Sequence, residues 1–461
     1  MVREIPELQA LIPQNETLTK TIESYRIHVI TPLVGGSAEP GVNGESLLVR
    51  PSSVRGHLRF WWRATRGSQI ETTEELYRRE SEIFGNTETP SRVKIWVTSE
   101  CPTSSTPIVI GKMNDKKNKM EWGFTEDILP YVFFPFSKSA AKKVIRCQRN
   151  YHFDLHVEYK ESASSDSGEI SLEDLKEEID LALCAWINFG GIGARTRRGC
   201  GALSCKNFTV DASTPKEFQE WFQEKFVRKY ELQLHTNDGK REWPTLSNRF
   251  LIGKKSNDIF SAWNGVVNAY HKFRRRASHK MGRSKWPEAD SIKRITGMSS
   301  TLHREPYPPK TKPSDFIAFP RAQLGLPIIF QFREHGKLPS ARDDNREPYQ
   351  TMLIPAGKDR LTSPLIIKPL AIKGSSQSWG AIFVLNQPRL QSLQLKLNSD
   401  LKDNHYKEVE ERVAQHFPVN EQAIYPNLQY AENPLGASHD AIEAFFNSKE
   451  VNEWLHNRNR G

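Results

Sequence analysis

Apolar and polar positions alternate roughly with a period of two along residues 22–30 (IESYRIHVI), which predicts a strand. Thr31 to Gly44 is rich in Gly and Pro and predicts a loop. The period then changes. Over 52–66, Val54, Leu58, Trp61 and Trp62 form a helical stripe with Ser52 or Ser53 as N-cap. Gly56 weakens that helix by about 1 kcal/mol against Ala. A second helical stretch spans 71–83, and strands are expected at 92–98 (RVKIWVT) and 143–159. The clearest helix is 171–189, with Ser171 as cap and Glu173 and Asp174 in the first turn. A glycine-rich segment, 190–201, leads to a strand at 202–210. Residues 101–130 read as an irregular, lysine-rich insertion and 161–171 as a loop. The order β-α-β-β-α-β predicts an α+β, ferredoxin-like unit.

The second half is less regular. Strands are expected at 250–253, 324–332, 360–370 and 379–387, and helices at 256–274, 404–416 and 438–457. The polar, Pro-rich stretches 277–322 and 333–358 read as long loops. The expected organisation is a leader (1–20), an N-terminal ferredoxin-like domain carrying the glycine-rich loop (21–225) and a decorated C-terminal one (226–461). A length of 461 residues accommodates that division.

Charge narrows the class of partner. The 65 Lys and Arg exceed the 55 Asp and Glu, for a net charge of +10. That balance favours an anionic partner, nucleic acid before an acidic membrane surface. No apolar run reaches about 18 residues, and MVREIPELQALIPQ does not read as a secretory signal. The cysteines (Cys101, Cys147, Cys184, Cys200 and Cys205) are odd in number and scattered, which suits a reducing cytoplasm better than a disulfide framework. His152 and His156 with Cys200 and Cys205 lack the spacing of a zinc finger. No metal or cofactor is expected.

Three basic constellations stand out. In the first helix, Arg55, Arg59, Arg63 and Arg66 fall along one face, next to Arg50 and Ser53. No acid lies within 50–70, so the stripe suits phosphates; the plain alternative is a solvated face paired with Glu71, Glu74 and Glu75. The second is GGIGARTRRGCG, in which Gly191, Gly193, Arg195, Thr196, Arg197 and Arg198 combine backbone freedom with guanidinium groups. It is neither a Walker loop nor a dinucleotide fingerprint. Here the alternative is a helix C-cap with an exposed basic loop. The third spans 271–294, where Arg274, Arg275, Arg283 and Lys285 surround Trp286, available for base stacking. A basic loop without a specific partner is its alternative. Together they predict contacts to the backbone of a single-stranded nucleic acid.

The phrases RPSSVRGHLRFWWRA and GGIGARTRRGCGAL, with Thr31-Pro32-Leu33 before them, are more specific. They resemble the RAMP superfamily of CRISPR-associated proteins, nearest to the first-subunit family of type III-B Cmr effector complexes. GRSKWPEADSIKR, LGLPIIFQF and RLTSPLIIKPL resemble blocks of that family's second half. The resemblance implies two tandem ferredoxin-like, or RRM-like, domains. It implies a non-catalytic subunit that binds RNA near the 3′ end of the CRISPR RNA, engages target RNA and serves antiviral defence. The partners would be CRISPR RNA, target RNA and other Cmr subunits, with no membrane. Arg55, Arg59, Arg63, Arg195, Arg197 and Arg198 match motif positions and would contact RNA; His57 departs from the small residue expected there.

Some RAMP proteins are metal-independent endoribonucleases, and His28 or His57 could act as general base beside the arginines. A packed His28 and a His57 on the third face of its helix are the ordinary readings. A purely architectural subunit, or a membrane-surface protein binding through 271–294, are the remaining alternatives.

Overall fold

The computed structural model describes residues 20–35, 48–99, 105–114, 119–125, 129–137, 145–161, 170–228, 242–276, 284–299, 317–332, 347–398, 404–428 and 433–456. Its first half contains β1 (Lys20–Val29), α1 (Pro51–Ala64), α2 (Thr73–Phe84), β2 (Val93–Thr98), β3 (Thr106–Asn114) and β4 (Lys119–Phe124). Then come α3 (Pro130–Ser137), β5 (Ile145–Cys147), β6 (Tyr151–Lys160), α4 (Leu172–Phe189), β7 (Leu203–Cys205) and α5 (Pro215–Phe222). The second half holds β8 (Thr245–Ser256), α6 (Ile259–Arg275), α7 (Glu288–Thr296), β9 (Ile328–Phe330), β10 (Thr351–Pro355) and β11 (Leu365–Ala371). It closes with β12 (Ser378–Asn386), β13 (Leu393–Leu397), α8 (Asn404–His416), α9 (Glu421–Ile424), α10 (Ala441–Phe446) and α11 (Lys449–His456).

The first sheet has the order β2-β6-β1-β7 and is antiparallel throughout. This is the strand order a β-α-β-β-α-β unit produces when each helix crosses over on the same face. Strict alternation makes one face apolar: Tyr25, Ile27 and Val29 of β1 and Phe153, Leu155 and Val157 of β6 are buried. Helices α1 and α4 cover that face. Val54, Leu58, Trp61 and Trp62 form the buried stripe of α1, as the helical spacing requires, and the Trp62 indole donates to the buried Glu178 carboxylate at 2.8 Å.

Several expectations change. The 101–130 insertion contains the antiparallel pair β3–β4, built on the apolar run Ile108-Val109-Ile110. The strand expected at 143–159 divides, because Asn150 takes a left-handed φ of 53° and sends β5 to pair with β3. The strand at 202–210 is only Leu203–Cys205. The long-loop regions 277–322 and 333–358 contain α7 and β10. The helix at 438–457 breaks into α10 and α11.

In the second half, β8, β11 and β12 pair in the order β11-β12-β8, with α6 against them. This repeats β-α-β-β, and among the described residues no fourth strand completes it. A separate sheet has the order β13-β10-β9. Among the described residues two buried apolar clusters run across residue 225, and a third, built around Ile292, Phe319, Leu353 and Val409, lies within the second half. Phe189 at the end of α4 lies 4.7 Å from Phe383 of β12, and Phe218 of α5 lies 5.1 Å from Phe250 of β8. The expected leader, apart from Lys20 in β1, lies outside the described residues.

Candidate nucleic-acid interface

The glycine-rich loop is fixed by the turn after β1. The buried Thr31 hydroxyl donates to the Gly199 carbonyl at 2.6 Å and accepts from the Ala202 amide at 2.8 Å. The Gly201 amide donates to Pro32 and the Ala194 amide to Val34. The Thr-Pro-Leu turn and the distant loop are therefore one hydrogen-bonded unit. Its glycines serve packing within the chain. A Cβ on Gly201, where φ is +59°, would stand 1.8 Å from the Ile192 carbonyl oxygen, and one on Gly199 (φ +84°) would meet the Trp263 indole at 2.4 Å. Gly191 lies under the Gly201 carbonyl, with Thr196 beside it, and Gly193 is exposed against Leu33 and Val34. The loop's tight course thus accounts for the glycine density.

Within this rigid loop the arginines diverge. Arg198 is buried: it donates to the Leu365 carbonyl at 3.0 Å and the Tyr270 hydroxyl at 3.1 Å, and its guanidinium lies 4.6 Å from the Tyr270 ring centre. It ties the loop to β11 and α6. Arg195 has a left-handed φ of 63° and donates to the Val132 carbonyl of α3 at 2.9 Å. Arg197 reaches the other way, 5.5 Å from the Phe60 ring of α1, and its buried Nη1 has no hydrogen-bond partner among the described residues. Arg274 of α6 donates to the same Tyr270 hydroxyl at 3.1 Å. Burial, then Arg198, pushes the Arg197 guanidinium down to about 10, and the same two causes lower Arg195. Among the described residues no carboxylate forms an ion pair with Arg195, Arg197, Arg198 or Arg274. Burial thus leaves the Arg195 and Arg197 guanidiniums desolvated, whereas Arg274, against its burial, is raised by the Tyr270 and Tyr131 hydroxyls beside it and by Glu288.

The stripe on α1 differs from expectation. Arg59 and Arg63 both contact the buried Glu80 of α2, each at 2.6 Å, and Arg55 donates to the Phe84 carbonyl. Arg66 lies 3.7 Å from Glu178 of α4. The acids missing from 50–70 come from other helices: among the described residues Glu80 and Glu178 supply them. Arg50 is exposed at the start of α1, and Ser53 is half-buried in its first turn.

The third constellation also changes. Trp286 is buried, donating to the Phe273 carbonyl at 3.2 Å, and is therefore not available for base stacking. Arg275 and Lys285 are exposed, and Arg283 lies outside the described residues.

The two histidines considered as bases lie on opposite faces of the first sheet. His28 is on the outer face, 5.8 Å from His152 across the strand pair. His57 is on the helical side, stacked 5.7 Å from Trp186, and burial lowers it to about 4. The sheet likewise separates inward Cys205 from the outward histidines of β6; Cys147, Cys184, Cys200 and Cys205 are free and buried.

Sequence reasoning missed Lys368 of β11. It is fully buried and donates to the carbonyls of Ile187 (3.2 Å) and Gly190 (2.8 Å) at the end of α4, directly before the loop. Burial lowers it to about 7. A single lysine inside the apolar strand LIIKPLA was the available signal. Nothing in the sequence signalled Tyr131, which stacks at 4.5 Å on His271 near Arg195 and Arg274.

A ferredoxin-like sheet whose last crossover helix opens into an arginine-bearing glycine loop defines the class, and a family model described as "RAMP superfamily" matches residues 26–204. Two proteins of Pyrococcus furiosus are similar. "CRISPR system Cmr subunit Cmr1-2" is 30% identical over 186 residues, 39% of this chain and 92% of that protein. "CRISPR system Cmr subunit Cmr1-1" is 28% identical over 156 residues, 34% of this chain, and the match spans only 40% of that relative's length. A chain of a type III-B Cmr-beta complex bound to cognate target RNA aligns with a TM-score of 0.48 and 15% identity, over 87% of this chain and 99% of that one. The chain belongs to the RAMP superfamily, among its Cmr1-like members. Among the described residues, no helix is long and apolar enough to cross a membrane.

Proposed function

We propose that this protein is the Cmr1-type subunit of a type III-B CRISPR ribonucleoprotein in the cytoplasm, assembled with other Cmr subunits and with CRISPR RNA near its 3′ end. It engages target RNA in antiviral defence without cleaving it. The observation that carries the RNA-binding reading is the group Arg195, Arg197, Arg198 and Arg274, concentrated on one loop and one helix with no carboxylate partner among the described residues. Arg195 and Arg197 supply the phosphate contacts. Arg198 and Arg274 hold the frame through Tyr270, while Arg50, Arg275 and Lys285 add exposed charge at its margins. Arg55, Arg59 and Arg63 back the site from α1 and keep part of their surface in water. We also infer that β8-α6-β11-β12 descends from a second ferredoxin-like unit beginning after residue 225, its core fused with the first.

The test is a salt titration of labelled single-stranded RNA against the wild type and Arg195→Ala/Arg197→Ala, with the RNA then run on a denaturing gel. The variant is expected to bind more weakly on all sequences, with a salt slope shallower by about 0.7 for each phosphate it no longer neutralises. Unchanged affinity and slope would refute the site. Cut RNA would refute the non-catalytic role.

A further inference from the structure

The outer face of the first sheet carries a different chemistry from the arginine cluster. The register places Trp96 of β2 beside His156 of β6 and Ser24 of β1. The Trp96 and His156 rings stack at 5.2 Å and 16°, and the Lys94 ammonium lies 5.8 Å from the Trp96 ring centre. The Ser24 and Thr98 hydroxyls hold the two nitrogens of the His156 ring at 2.8 and 2.9 Å, which fixes its plane. Four residues further along β6, about 13 Å at strand rise, His152 lies against His28, forming a second pair of rings.

Among the described residues, the two carboxylates that β1, β2 and β6 place on this face are already neutralised. Asp154 pairs with Arg26 at 3.5 Å and Glu158 with Lys160 at 3.8 Å, so Lys20 and Lys94 remain as excess positive charge. The face is accessible: Ile22 is 57% exposed and the Arg26 side chain 54%. A protein partner burying a large area would need apolar surface, yet among the described residues Ile22 and Trp96 are the only large apolar side chains that β1, β2 and β6 place on this face. Pre-oriented rings, hydroxyls and excess lysines match the faces, edges and phosphates of unpaired nucleotides.

We propose that this sheet face is a second RNA contact, in which the Trp96–His156 stack receives a base of a single strand and the His28–His152 pair lies further along its path. It is independent of the arginine cluster, from which it differs by resting on stacking.

The experiment titrates the full chain with a labelled oligoadenylate of ten nucleotides, as wild type and as Trp96→Ala, Trp96→Phe and Ile22→Glu. Trp96→Ala is expected to weaken binding by about five- to 160-fold, the range for loss of one stacked base (about 1–3 kcal/mol). The salt slope should stay unchanged, because the same phosphates are neutralised in both proteins. Trp96→Phe should recover part of the affinity. Ile22→Glu, on an exposed position that cannot disturb the core, should weaken binding by adding charge to the same face. The weakening should persist in the Arg195→Ala/Arg197→Ala background, which separates this surface from the loop site. Wild-type affinity in both Trp96→Ala and Ile22→Glu would overturn the proposal, as would a wild type that binds no oligoadenylate. Variants that keep RNA affinity but no longer assemble with other subunits would assign the face to a protein partner and overturn it as well.

Discussion

Glu80 is a single buried carboxylate held by two arginines, and the geometry makes the pairing structural first. Removing the carboxylate leaves two neighbouring arginines unpaired, and because both are about a third exposed, water holds the cost below the roughly 3–5 kcal/mol of a fully buried pair. Glu80→Gln should therefore lower the unfolding midpoint while leaving RNA affinity at low salt unreduced, since Arg59 and Arg63 stay positive. A loss of RNA affinity with no loss of stability would assign Glu80 to the interface. His57 gives a second residue-scale prediction. It is lowered from 6.5 to about 4 by burial against Trp186. Between those values the unfolded chain binds a proton that the folded one refuses, so stability falls as pH drops from about 6.5 to 4. At 1.36 kcal/mol per unit the loss is roughly 3 kcal/mol. Denaturant melts across that window should show this slope in the wild type and a flatter one in His57→Phe.

The glycine loop behaves as one element with the turn after β1, because Thr31 bonds to both Gly199 and Ala202. Its conformation requires left-handed backbone at Gly199 and Gly201 with no room for a methyl group. Gly201→Ala is expected to disrupt the loop and reduce RNA binding. Thr31→Val keeps the shape of the side chain but removes both hydrogen bonds, and should show a smaller loss of stability, about 1–3 kcal/mol by urea melts. If Thr31→Val were neutral, the coupling of turn and loop would be wrong.

Across the whole molecule the two halves share aromatic packing at Phe189 and Phe383, and Lys368 crosses from the second half to close the last carbonyls of α4. Its value of about 7 against 10.5 in the unfolded chain means the unfolded state binds the extra proton between those limits. Stability should accordingly rise as pH climbs from about 7 to 10, and Lys368→Met should abolish that slope in thermal melts. A single cooperative transition is expected, because two of the buried clusters among the described residues cross residue 225. Two separate transitions would show that the halves fold independently.

The strongly periodic elements and the identity of the arginine loop were legible in the order of residues. The stripe of Val54, Leu58, Trp61 and Trp62 and the capped helix after Ser171 carry their own structural instructions, since burial on one face needs only local spacing. Segments such as 101–130 were less legible, because β3 and β4 depend on each other and on a distant β5. Which charges are neutralised was settled by packing in three dimensions. Glu80 reaches the α1 arginines and Glu178 reaches Arg66 just beyond α1, both from other helices, and Trp286 points into the core rather than toward solvent. Among the described residues no carboxylate pairs with Arg195 or Arg197, because packing, not spacing, sets which carboxylates can reach them: Coulomb attraction and desolvation depend on distances in space, which one-dimensional spacing does not record.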